Sequence, residues 1–216
     1  MNAEKKLIVA WLTVFAAVLF WSGYQPYDYL TWVLEVAPAV IGLFLLAVTY
    51  KRFKFTGLAY WLILIFSIVL MIGGHYTYAR VPLFNWVKEV FDLSRNHYDR
   101  MGHILQGFVP AIVTRELLIR TSPLAKSKWL FFIVVSICLA ISASYELVEW
   151  CAALVNDTAA EAFLGTQGDV WDTQADMALA LAGAITAMLI LSKTHDRQLA
   201  MKGHLQKNTP NNFAEK

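Results

Sequence analysis

The chain has 216 residues, of which 58% are hydrophobic and 16% charged, and its net charge is +2. A soluble domain carries roughly a quarter charged residues; here the apolar residues come in blocks about as long as a bilayer is thick, which excludes a soluble fold. The basic residues are scattered at the ends of those blocks instead of forming one patch, which removes nucleic acid as a partner.

The first block, Leu7–Gly23, follows Lys5 and Lys6 in the manner of a secretory signal. No small-x-small cleavage site ends it. It runs instead into Phe20, Trp21 and Tyr24, an interfacial aromatic belt, so a retained span is expected. Further spans are expected at Leu30–Tyr50, Gly57–Gly74, Met101–Ile119, Trp129–Val155 and Trp171–Leu191. The fourth is the least apolar, because it holds His103, Gln106, Arg115 and Glu116. Between spans three and four, VPLFNWVKEVFDLSRN places Leu83, Trp86, Val87, Val90 and Phe91 at helical spacing, with Lys88, Glu89 and Asp92 opposite. This pattern fits an amphipathic helix lying on the outer membrane surface, or equally a short helix packed on the loops.

The architecture expected is therefore all-α: a polytopic membrane bundle of six transmembrane helices with one interfacial helix. It occupies residues 1–192, and a polar, mobile cytoplasmic tail follows at 193–216. No internal repeat is present, which speaks against inverted-repeat transporter folds. Cys138 and Cys151 fall on one expected helix, about 20 Å apart at a rise of ~1.5 Å per residue, and cannot bridge.

Charge orients the set. With the N-terminus inside, one side receives fourteen of the eighteen Lys and Arg residues and the other only Arg80, Lys88, Arg95 and Arg100. That bias puts both termini in the cytoplasm.

Under this topology the polar residues gather at one depth, near the outer leaflet. His75 ends span three and Glu35 sits in the outer part of span two. Asp99, His103 and Gln106 share one face of span four at i, i+4 and i+7. Glu146 and Glu149 close span five, whose C-terminal dipole disfavours carboxylates. Asp169, Asp172 and Asp176 open span six. Capping alone accounts for Asp169 and Asp172, but not for Asp176, a turn deeper. Burying one ionised group in lipid costs on the order of 3 kcal/mol, so Glu146 and Glu149 need a cation, a shared proton or water.

Two readings compete for this cluster. Arg80, Arg95 and Arg100 could tie it into a salt-bridged network. Alternatively Glu146, Glu149, Asp169, Asp172 and Asp176 hold a divalent cation, for which carboxylates with one imidazole suit Mg²⁺ or Mn²⁺ better than Zn²⁺. His103 or Asp99 would then move protons, while Gln106, Gln167 and Arg100 would contact a lipid-linked substrate. In GTQGD, Gly165 and Gly168 bracket a tight turn that shapes the entry to span six. Arg115 and Glu116, adjacent at the other end of span four, point in different directions and read as boundary residues. No GxSxG, HExxH or P-loop is present.

YDRMGHILQGFVPA (98–111), SYELVEW (144–150) and FLGTQGDVWDTQADM (163–177) resemble the YjdF family of bacterial inner-membrane proteins, a domain of unknown function. The resemblance runs from Leu7 to about Leu191 and implies a multi-pass cytoplasmic-membrane protein without an assigned activity. Asp99, Arg100 and His103 are also similar to a helix start in VanZ-like membrane proteins, linked to glycopeptide-antibiotic tolerance. Asp172 matches that pattern's later acid, but Asp176 and Leu179 stand where it has Asn and Gly. Three functions stay open: a cation-dependent enzyme acting on a lipid-linked or envelope substrate, a structural or accessory membrane protein whose cluster is interhelical glue, and a proton-coupled transporter.

Overall fold

The computed structural model describes residues 3–124, 127–155 and 166–203. The described residues form seven helices, α1 (Ala3–Gly23), α2 (Tyr29–Thr49), α3 (Gly57–Tyr76), α4 (Pro82–Val90), α5 (Tyr98–Thr121), α6 (Lys128–Val155) and α7 (Asp172–Met201), and a 3-10 turn at Tyr78–Arg80. Local chemistry sets several starts. Asp28 caps α2 by accepting from the Thr31 N–H at 2.6 Å, and Thr56 caps α3 through the Ala59 N–H. Pro82 opens α4, where its missing N–H costs nothing.

Five helices, α1, α2, α3, α6 and α7, are long and apolar enough to cross a bilayer. The remaining expected span, the fourth, is α5, 24 residues long and about 36 Å at ~1.5 Å per residue, but too polar to meet that test. Its polar residues point inward: Asp99, His103, Gln106, Arg115 and Glu116 are all buried. The bundle's outside is apolar instead, with Phe20, Phe44, Val48, Trp129, Phe132 and Leu189 each more than half exposed. A polar interior wrapped in an apolar exterior is what a helix bundle in lipid requires.

α5 is the hub, packed against α3, α6 and α7. Its contact with α7 is the closest in the molecule's glycine set. A Cβ on Gly107 would lie 1.7 Å from the Ala180 carbonyl oxygen, and one on Gly183 would lie 2.1 Å from that of Ile104. Small residues let the two backbones touch, as membrane helices without a hydrophobic drive between them need. Ala111, Ile112, Val134, Ala184 and Ala187 continue this apolar core, while Trp11, Phe15, Val36, Leu64 and Met71 fill a second one between α1, α2 and α3.

The short helix α4 leaves Leu83, Trp86 and Val90 exposed and sets Phe84 edge-on against Tyr98, 5.2 Å between ring centres. Its unpartnered apolar side fits an interfacial position. α7 runs on past Leu191, where the sequence turns polar, to Met201; residues 204–216 of the expected tail lie outside the described residues.

Candidate functional site

The site is assembled by the turns that deliver α5 and α7. Asn96, fully buried, is the knot. Its Oδ1 accepts from the Tyr98 N–H at 3.0 Å, starting α5, and its Nδ2 donates to Val81 O at 3.1 Å and to Asn85 Oδ1 at 2.7 Å, fastening α4. Gln167 clamps the Asn96 backbone from both sides, accepting from its N–H and donating to its carbonyl, each at 2.9 Å. Gln167 and Gly168 have positive φ, and the Asp169 N–H donates to Thr166 O, so the tight turn expected before α7 is present from Thr166 onward. Gly165 lies outside the described residues. Asp169 Oδ1 accepts from the Trp171 N–H at 2.9 Å, a local turn bond two residues on. The N-cap position itself is Trp171, which makes no side-chain cap, so the expected capping by Asp169 is not what the acid does.

Arg95, from the loop before α5, and Arg100, from the first turn of that helix, reach into the acids. Arg95, 4% exposed, is bonded to Asp172 and lies 3.5 Å from Asp99 and 3.6 Å from Asp169. Arg100 bonds Asp169 at 2.6 Å. His97, immediately before α5, is partly buried beside these two guanidiniums, and burial together with Arg100 and Arg95 holds its imidazole below the ordinary histidine pKa.

Deeper lies His103. Its Nδ1 is 2.9 Å from Gln106 Oε1, a side-chain carbonyl that can only accept, so Nδ1 carries a proton. Nε2 faces two carboxylates, Asp99 Oδ1 at 3.4 Å and Asp176 Oδ2 at 3.9 Å. One ligand atom each from Asp99, His103 and Asp176 can lie within 4.8 Å of the others, a spacing that could hold a metal ion. Glu146 Oε1 is 3.7 Å from His103 Nδ1, too far for a hydrogen bond, and it and Asp176 Oδ1 have no hydrogen-bond partner although both residues are buried. Among the described residues, Glu35, Asp99, Glu146, Glu149, Asp172 and Asp176 make six buried carboxyl groups at this end, against two buried groups able to be positive, Arg95 and His103.

Beside this cluster is a cavity of about 220 Å³. Asp99, His103, Glu35 and Glu149 line one part of it, and Phe66, Leu70 and Ile141 the rest. Both prolines inside helices, Pro38 of α2 and Pro110 of α5, line it too. Each removes an N–H donor and spreads the helix locally, which opens space at that level. α2 and α6 border the cavity and scarcely pack on each other; Tyr145 Oη donates to Glu35 Oε2 at 3.0 Å across the gap.

Of the residues expected at the site, Asp99, His103, Gln106, Glu146, Asp172 and Asp176 form the connected core, and Glu149 faces the cavity. Asp169, Arg100 and Gln167 form its outer rim, Arg100 paired with Asp169 and Gln167 bonded to the Asn96 backbone. Sequence reasoning treated Arg95 only as one of three nearby cations and passed over Asn96, since both sit in an unpatterned loop. Tyr145 was also passed over; it stands one residue before Glu146 and could have been noticed as a polar group on the same helix.

The opposite end holds a second buried network. His195 of α7, fully buried, sits between Arg115 and Glu116. Arg115 Nη1 is 3.0 Å from His195 Nδ1, and His195 Nε2 is 3.1 Å from Glu116 Oε2. A guanidinium can only donate, so Nδ1 accepts and the ring proton is on Nε2, aimed at Glu116. Glu116 also accepts from the Thr56 N–H and hydroxyl and from Arg120, while Arg115 bonds Asp196 at 2.6 Å. The expectation that Arg115 and Glu116 are mere boundary residues is thus corrected. Neighbours on a helix do diverge, but a third residue from α7 touches both.

The profile of a family described as Predicted membrane protein (DUF2238) matches residues 7–197. The chain is also 49% identical to the Inner membrane protein YjdF of Escherichia coli (strain K12), over 86% of this chain and 89% of that protein. No solved structure matches it.

Proposed function

We propose, from the premise that the chain belongs to the DUF2238 family of membrane proteins, that this multi-pass inner-membrane protein is a divalent-cation-dependent enzyme whose centre faces the outer leaflet. Asp99, His103 Nε2 and Asp176 would bind Mg²⁺ or Mn²⁺, while Glu146, on the Nδ1 side of the ring, and Glu149, on the cavity wall, would move a proton. The observation that carries the reading is the charge imbalance: six buried carboxyl groups beside two buried cationic groups, with Glu146 Oε1 and Asp176 Oδ1 unpartnered. Leaving such acceptors unmatched in a bundle interior is costly, and a hard dication with water ligands would satisfy them together. Gln106 on Nδ1 fixes the tautomer that frees Nε2, the usual outer-shell partner of a ligating histidine.

The adjoining cavity suits a substrate anchored in lipid. It joins acid-lined and apolar surface, and it lies where α2 and α6 part, so a chain could enter sideways from the bilayer. A cation there would polarise a phosphoryl or carbonyl oxygen of a headgroup and lower the pKa of a bound water. The fourteen-to-four bias of basic residues supports the orientation, with both termini cytoplasmic.

The interhelical-glue reading has its own observation in the Arg95–Asp172 and Arg100–Asp169 pairs, which bind loop to helix whether or not a metal is present. Transport is disfavoured. Between the acidic cluster and His195, the α5–α7 interface is apolar, with Val109, Ile112, Ala184 and Ala187 buried and no titratable side chain to relay a proton.

Mn²⁺ titration of the detergent-purified protein, followed by loss of the free-ion electron paramagnetic resonance signal, tests the reading. One ion per chain is expected, with affinity lowered by at least about tenfold in Asp176→Asn and His103→Gln and unchanged in the rim variant Asp169→Asn. Equal, weak binding by all four proteins would reject a cation centre.

A further inference from the structure

A second and larger cavity lies at the other end of the bundle, independent of the acidic cluster. α1 and α2 both pack on α3 but scarcely on each other, so they spread apart and leave a wedge of about 520 Å³. That falls within the roughly 300–1,000 Å³ of small-molecule sites. Leu7, Trp11 and Leu12 form one wall, Leu43 and Leu46 the other, and Trp61 the floor.

The charged groups lining this wedge, Glu4, Lys54 and Lys202, sit together at one end with Tyr50. Glu4 is already engaged, accepting from Lys54 Nζ at 2.8 Å and from Tyr50 Oη at 3.0 Å. Lys202 Nζ bonds only neutral acceptors, the carbonyls of Phe55 and Lys54. The mouth therefore carries one net positive charge at the level of the headgroups. Burial holds the Lys202 ammonium below its ordinary pKa, with Arg120 and Lys54 adding repulsion and Glu116 and Glu4 opposing it.

We propose that this wedge binds an acyl chain of an anionic glycerophospholipid, whose phosphate sits at Lys54 and Lys202. An apolar slot ending in two ammonium groups matches a chain ending in a phosphodiester. A zwitterionic headgroup would bring a third cation toward the pair, with Glu4 already spent on Lys54 and Tyr50. In the orientation argued above, this mouth faces the cytoplasmic leaflet, whose surface is anionic.

The full-length protein in detergent, titrated with phosphatidylglycerol or phosphatidylcholine of identical chains and read by native mass spectrometry, tests this. Phosphatidylglycerol should be retained at a roughly tenfold lower concentration than phosphatidylcholine. Lys54→Gln/Lys202→Gln should reduce it to the phosphatidylcholine level, and Ala47→Trp, an exposed position on the cavity wall, should expel both lipids. Equal retention of the two lipids by the wild type would overturn the proposal, as would a preference that persists in the double variant or survives Ala47→Trp. A protein dimer that Ala47→Trp dissociates without loss of lipid would also overturn it and assign the wedge to a second copy of the chain.

Discussion

Arg95 shows how much one unpatterned residue can hold. It is almost wholly buried, bonded to Asp172 and close to Asp99 and Asp169, so it joins the loop before α5 to the first turn of α7. Removing one partner of a buried pair leaves an uncompensated charge, at a cost of about 3–5 kcal/mol. Arg95→Gln should accordingly lower the thermal midpoint in detergent by far more than Asp172→Asn/Arg95→Gln does, and a double-mutant cycle on melting curves checks it. Equal losses would mean the pair contributes no specific coupling. Asn96 next to it does comparable work without charge, since its side chain and backbone together hold α4, α5 and the turn before α7.

Among the elements, the α5–α7 contact decides whether the site exists, because those helices carry Asp99, His103, Asp172 and Asp176. At Gly107 the obstacle to any side chain is backbone, the Ala180 carbonyl, which cannot swing aside as a rotamer can. Gly107→Ala should destabilise by at least the ~1–3 kcal/mol typical of overpacking. Gly42→Ala, where nothing lies within 4 Å, should be neutral or gain up to about 1 kcal/mol from helix propensity. Thermal melts of the two variants in one detergent provide the comparison; matching midpoints would refute the close-packing argument. The helices themselves were legible in the sequence, because span length and apolar run are the same quantity. So was most of the acidic cluster, since i, i+3, i+4 and i+7 spacing places residues on faces. What stayed hidden came from tertiary encounters: His195 meeting Arg115 and Glu116 across α5 and α7, Gln167 closing on Asn96, and Tyr145 reaching Glu35. None of these pairs has a spacing that could announce it.

Across the whole molecule, two polar centres occupy opposite ends of the same helix pair with an apolar, small-residue seam between them. The orientation argued from charge predicts that alkaline phosphatase fused after Asp92 is active and fused after Lys216 is inactive. The reverse pattern in enzyme assays of the two fusions would turn the bundle over and move the proposed cation centre to the cytoplasmic face. A last consequence concerns how such a chain is made. α5 carries five buried polar or ionisable side chains and fails the apolarity of its neighbours, so when it leaves the ribosome it has little reason to enter lipid. Its partner α7 is synthesised only after the whole of α6. The nascent chain must therefore wait with one segment unsettled at the translocon until its final helix emerges, and any product that stops short of residue 172 would be presented to membrane proteases with that segment unclaimed.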